Sequence, residues 1–276
     1  MNAIKTILVH ADAGLHCAAR LRVARQLARR LEADVHALYA VTPACAEIGL
    51  ELSSDSASIT LAQEIDERRL ALVRQVRQHA ESEDGPPITW HEASGLPVDA
   101  FVQQARYADL MLLGQHDPDR PASGVPGDFV ESVVMASGRP ALVLPYIDTG
   151  TTLGDTVLIA WKETPEAARA VSAALPVLQQ ATRVHVAVWG SSNAPQTAPA
   201  LDILGFLQAH GVQAELHRHA LTGADVGDLM QSLAADLSAD LLVMGCYGHS
   251  RARELVLGGA SRTVLRSMTL PVLMAH

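Results

Sequence analysis

The stretch Ala239–His276, ADLLVMGCYGHSRARELVLGGASRTVLRSMTLPVLMAH, aligns without a gap with Ala108–Pro145, ADLMLLGQHDPDRPASGVPGDFVESVVMASGRPALVLP, at a constant offset of 131. The offset pairs Asp109 with Asp240, Gly114 with Gly245, Gly127 with Gly258 and Pro140 with Pro271. It also sets Asp117 against Gly248 and Asp128 against Gly259. A duplicated scaffold has kept a glycine loop in its second copy and carries carboxylates at two of those places in its first.

Outward from each copy, short apolar strands alternate with amphipathic helices. In the first half the strand-like runs are Ile7–His10, Val35–Val41, Ile88–Glu92, Leu110–Leu113 and Ala141–Leu144. Between them the apolar spacing predicts helices near 16–31, over Leu61–Ala80, over Val98–Tyr107 and over 128–137, with 43–60 as a loop. On the first helix Leu21, Ala24, Leu27, Ala28 and Leu31 form one face, and Arg20, Arg22, Arg25, Arg29 and Arg30 mostly mark the solvated one. The second half repeats the order with strands at Thr156–Ala160, Val184–Trp189, Val212–Arg218, Leu241–Met244 and Val272–Ala275. Thr164 followed by Pro165 reads as a hydroxyl cap and a proline at the first helical position. Such alternation implies parallel sheets covered on both faces. The polar linker Asp148–Gly154 divides the chain into domains expected at 1–148 and 155–276.

Bulk properties narrow the partners. A formal net charge of −9 over 276 residues argues against duplex nucleic acid or an anionic membrane as the main partner. No apolar run approaches the ~20 residues that span a bilayer, and MNAIKTILVHAD lacks the layout of a signal peptide. The cytoplasm is the expected location. Cys17, Cys45 and Cys246 form neither a disulfide framework nor a zinc motif.

The glycine loop carries the chemistry. Gly245 ends the fourth strand of its half, Gly248 follows after two residues, and Gly258 after nine more. In open α/β sheets ligands bind at the C-terminal strand ends. A helix opening near Gly259 offers unpaired backbone N–H groups and the positive end of its dipole. Glycines admit a phosphate close to that backbone, and Ser261, His249 and Arg251 can add donors.

This pattern, with P-V-L in the closing strand at Pro271–Leu273, resembles the universal stress protein family. The resemblance covers nearly the whole chain as a tandem of two such domains. It implies two Rossmann-like α/β domains, each a five-stranded parallel sheet of order 3-2-1-4-5, joined through their last strands as an internal pseudo-dimer, with a homodimer also open. It further implies an adenine nucleotide, ATP, on the glycine loop, with an acidic residue after the first strand near the ribose. Asp12 matches that acid, and Lys162 stands in its place in the second half. Asp117, Asp119 and Asp128 would repel a polyphosphate in the first half, where Asp128 is expected to cap the helix instead. In the second half Gly259 stands where the family usually has Ser or Thr.

The expected site therefore lies in the second half: Ala160, Trp161, Lys162, Val188, Met244, Gly245, Gly248, His249, Arg251, Gly258, Gly259, Ala260 and Ser261. No metal is expected, and His217 and His219, two apart on a strand, lack an evident third ligand. Cys246 reads as a small buried thiol. Trp161 and Trp189 edge the cleft, where adenine stacking and core packing are both open. No catalytic motif stands out. The readings are a nucleotide-regulated stress-response module, an interaction or scaffold protein with an empty cleft, and, weakest, a slow ATPase.

Overall fold

The structure, a computed structural model, describes residues 4–47, 56–120, 124–147, 153–190, 201–220, 225–246, 248 and 259–276. By their contacts these fall into two units, Ile4–Arg139 and Pro140–His276, each described by itself.

The first unit runs β1 (Thr6–Ala11), α1 (Cys17–Leu31), β2 (Asp34–Tyr39), α2 (Ala44–Glu47), α3 (Ser56–Ser82), β3 (Ile88–Glu92), α4 (Pro97–Ala105), β4 (Leu110–Gly114) and α5 (Phe129–Ser137). Its strands lie in the order β3-β2-β1-β4, all parallel. β1 and β4 are buried almost end to end, as strands covered on both faces must be. The α1 face of Leu21, Ala24, Leu27 and Ala28 is buried, and the helix lies against β1, β2 and β4. α4 and α5 pack on one another, with α4 reaching β1.

Two of the five arginines on α1 depart from the expected solvated face. Arg22 and Arg29 are exposed, but Arg20 and Arg25 are buried. Arg25 donates to the carbonyls of Ala80, Glu83 and Pro86. It thereby satisfies acceptors left without partners where α3 ends. The expected loop over 43–60 also contains the short α2 and the first turn of α3.

The second unit runs β5 (Ala141–Leu144), β6 (Thr156–Ala160), α6 (Pro165–Leu178), β7 (Arg183–Trp189), α7 (Ile203–Ala209), β8 (Glu215–His219), α8 (Val226–Asp236), β9 (Leu241–Gly245), α9 (Ala260–Ser267) and β10 (Val272–Ala275). Its strand order is β5-β10-β9-β6-β7-β8. The five strands of the second repeat thus follow 3-2-1-4-5 and are parallel. β5 adds to them antiparallel, Val143 opposite Val272 and Ala141 opposite Met274. Thr164 caps α6 by accepting the Ala167 N–H at 3.4 Å, with Pro165 at the first position.

The paired aspartates of the repeat have one local job in each unit. Asp109 accepts the N–H groups of Lys5 and Thr6 at 2.8 and 3.0 Å. Asp240 accepts those of Gly154, Asp155 and Thr156 at 3.0 to 3.1 Å. Each carboxylate anchors the start of the first strand of its own repeat. Among the described residues no helix is long and apolar enough to cross a membrane.

Candidate functional site

In each repeat the C-terminal ends of the first and fourth strands meet the start of the helix that follows the first strand. In the first repeat that place is filled. Asp12 directly follows β1 and closes a tight turn by accepting the Gly14 N–H at 2.7 Å. Arg20, in the first turn of α1, bonds Asp12 through Nη2 and donates from Nε to the His10 carbonyl at 3.1 Å. A Cβ on Gly114, at the end of β4, would lie 2.4 Å from Arg20 Nη1. The guanidinium therefore lies against the strand end that a phosphate loop would need.

Burial sets the charges here. Burial opposes ionisation of Asp12, but Arg20, His10 and the Gly14 N–H outweigh it, and the carboxyl stays below its usual range. His10 is pushed down from 6.5 to about 4, by burial first, with Asp12 pulling against it. It is neutral, donates from Nε2 to the Ala40 carbonyl at 2.8 Å, and lies against the Phe129 ring. Burial raises the Cys17 thiol to about 11, so it is not a nucleophile at neutral pH.

What remains is a cavity of about 40 Å³ lined by His10, Asp12, Arg20, Gly114, Asp117 and Gly127 among others. It has room for a water or two. Asp12 is thus an ion-pair partner in this structure and is not presented to a ribose. Asp117 accepts the N–H groups of Asp119 and Arg120 at 3.0 and 3.1 Å. Asp128 precedes α5 but forms no side-chain cap, contrary to expectation, and accepts the Ser132 hydroxyl at 3.1 Å. The carboxylate reaches one turn forward and leaves the first-turn amides.

The second repeat is arranged differently. Ala160 and Met244, opposite one another at the ends of β6 and β9, are buried floor residues. Trp161 and Val188 are half-buried and Lys162 is exposed. The Trp161 N–H donates to the Ala187 carbonyl at 2.8 Å, extending the β6–β7 pairing. Trp189 stacks on His219 with 5.6 Å between ring centroids. Cys246 is buried, as expected of a small structural thiol, and its N–H donates to the Ala275 carbonyl at 3.0 Å.

The glycines have separate reasons to be glycine. A Cβ on Gly245 would meet the backbone of α6, 2.4 Å from Ala167 N and 2.7 Å from the Glu166 carbonyl carbon. A Cβ on Gly248 would lie 3.1 Å from Glu166 Oε2. Glu166 is held below the usual carboxylate range by its own backbone N–H, against a cost of burial, with Thr164, Arg169 and His276 adding to the effect. α9 starts after Gly259, whose backbone is extended (φ −92°, ψ 149°) and which has no side chain to cap the helix. Ala260 is half-buried and Ser261 is buried in the first turn. The structure thus brings Gly245, Gly248 and the first turn of α6 together. His249, Arg251 and Gly258 lie outside the described residues.

Two residues missed from the sequence change the site most. Arg20 shares its helix with exposed arginines, but its position in the first turn of α1 puts it beside Asp12. Glu166 follows the Thr164–Pro165 helix start, and a first-turn acid at that end of a parallel sheet faces the glycine loop.

The model of the universal stress protein family matches this chain twice, over residues 3–145 and 155–276. Universal stress protein Slr1230 of Synechocystis sp. is 27% identical over 186 residues, 65% of this chain and 62% of that protein. The chain thus spans less than two thirds of the length of that relative. A universal stress protein from Archaeoglobus fulgidus superposes with a TM-score of 0.71 at 18% identity, covering 99% of this chain and 97% of its own. A protein of unknown function from Pseudomonas aeruginosa does so with a TM-score of 0.61 at 18% identity, covering 99% and 92%. At these identities the solved structures share the fold. With both repeats matched by one family and the fold shared end to end, the chain belongs to the universal stress protein family.

Proposed function

We propose that this protein is a stress-response module whose second repeat binds an adenine nucleotide, ATP or a close relative, as a conformational ligand. The observation that carries the reading is the start of α9. It opens at Gly259 with no side-chain cap, so the first-turn amides and the positive end of the helix dipole can be offered to an anion. In the first repeat Asp117 and Asp128 stand where the second has Gly248 and Gly259, and like charge opposes a phosphate there, so one nucleotide per chain is expected. Gly248 admits a phosphate close to the loop backbone, Lys162 is an exposed cation at the end of β6, and Trp161 borders the adenine side.

Glu166 gives the rival reading its support. Its carboxylate is beside Gly248, where like charge opposes a phosphate. A nucleotide entering there moves this carboxylate aside or brings a divalent cation. If it does neither, the cleft is empty and the protein works through protein contacts.

Titration of labelled ATP into wild type, Gly248→Asp and Glu166→Gln separates the two. Nucleotide binding predicts saturable binding to wild type at one site, an affinity lower by about tenfold or more in Gly248→Asp, and tighter binding in Glu166→Gln. No saturable binding in wild type, or an affinity indifferent to Gly248→Asp, rejects the nucleotide reading.

A further inference from the structure

The second repeat carries a cluster of metal-ligating groups on the β7–β8 pair, apart from the glycine loop. His185 on β7 lies opposite Glu215 on β8, and Ala187 opposite His217. The two histidines meet diagonally, His185 Nδ1 to His217 Nε2 at 3.0 Å. Glu215 joins them, with carboxylate oxygens 3.6 Å from His185 Nδ1 and 4.0 Å from His217 Nε2. One donor atom from each residue lies within 4.8 Å of the others. Donors bound tetrahedrally at zinc–nitrogen lengths of 2.0–2.1 Å are about 3.3 Å apart, and the three distances bracket that value.

The first repeat supplies an internal comparison. His36 on β2 and His91 on β3 form the same diagonal contact through the same atoms, Nδ1 to Nε2 at 3.1 Å. There the residue opposite His36 is Thr89. Duplication has kept a histidine clasp in both repeats, and the second copy alone adds a carboxylate at that register position.

We propose that His185, His217 and Glu215 form a binding site for a divalent transition-metal ion of zinc-like chemistry, with a fourth position left to solvent. His185 Nδ1 and His217 Nε2 supply lone pairs, and the one proton between them in the metal-free pair moves to the outer nitrogen of its own ring. Glu215, largely exposed, supplies the anionic oxygen from the solvent side. The groups around His185 favour a neutral ring. Burial, then His217, lower its proton affinity, Arg183 adds to them, and Glu215 alone opposes. Arg183 is itself held by a bond from Nε to Thr156 Oγ1 at 3.2 Å. His219, expected from spacing to share a face with His217, stacks on Trp189 and His217 with centroids 5.6 and 6.4 Å away and is not a ligand. The choice of ion follows the ligand set, since two imidazoles and one carboxylate suit zinc, copper, nickel or cobalt over magnesium or calcium.

The test is titration of the untagged, full-length protein with Co²⁺ as a spectroscopic probe and with Zn²⁺ in competition. Wild type is expected to take one ion with visible d–d absorption, displaced by Zn²⁺. His217→Gln should abolish the absorption, and Glu215→Gln should weaken binding by about tenfold or more. His36→Gln should change nothing, and Thr89→Glu should create a second equivalent beside the His36–His91 pair. Thermal melting of each variant, without metal, confirms that it is folded. Absence of saturable binding, or binding indifferent to both His217→Gln and Glu215→Gln, overturns the proposal. A folded Thr89→Glu protein that takes no second ion overturns the role assigned to the carboxylate.

Discussion

Asp12 and Arg20 form a buried ion pair that has His10 as its third member and Gly114 as its floor. A carboxylate and a guanidinium removed together from water hold each other ionised, and the imidazole beside them stays neutral because its charging would add a second buried cation. The consequence for pH follows from His10. Its affinity for protons is lower folded, about 4, than the ordinary 6.5. Between these values the unfolded chain binds more protons than the folded one, so stability rises with pH through that window and falls on acidification. A shift of this size corresponds to at most roughly 3 kcal/mol. Acid unfolding of wild type should therefore have a component between about pH 6.5 and 4 that is missing in His10→Gln. Hydrogen-exchange protection of β1 and α1 measured over that range would show it, and equal pH slopes for the two proteins would refute it.

At the scale of elements, the approach of β9 to α6 fixes the candidate cleft. Gly245 ends the strand against the first turn of the helix, with backbone on both sides of the contact. A methyl group there cannot be accommodated by turning a side chain, so the strand end or the helix start must shift. Overpacking of this kind costs about 1–3 kcal/mol. Gly245→Ala should lower the denaturant midpoint accordingly and disturb the loop that follows. A midpoint unchanged from wild type would mean that α6 is free to move at that point. The helices also differ in what was readable. α6 announces itself by Thr164 and Pro165, a local signal, and the cap forms as read. Asp128 gives the same type of local signal at α5 and does not cap, because its carboxylate reaches Ser132.

For the whole molecule, the fifth strand of the first repeat is the telling element. β5 counts by its contacts with Pro140–His276, where it pairs antiparallel with β10. Residues 155–276, the second family match, would leave the β10 edge without that partner, and an open apolar strand edge is a template for association. Sedimentation of fragment 155–276 should show self-association through β10. Monomeric behaviour of that fragment at high concentration would show that the β10 edge needs no cover.

The sequence by itself determined the repeat, the family and most strand limits. β5, β6 and β10 begin and end where their apolar runs do, because a strand buried on both faces must be apolar throughout. The offset of 131 located the glycine loop and its carboxylate counterpart. Tertiary structure decided which side chains meet across that frame. Arg20 and Asp12 are eight residues apart, Glu166 and Gly248 are eighty-two, and His185 and His217 are thirty-two. Periodicity reports which face a residue takes within its own element. Partners across elements follow from strand register and from how helix starts settle on strand ends, which are set by packing of the whole unit. The glycine loop was therefore legible, while the carboxylate beside it and the histidine clasp were not.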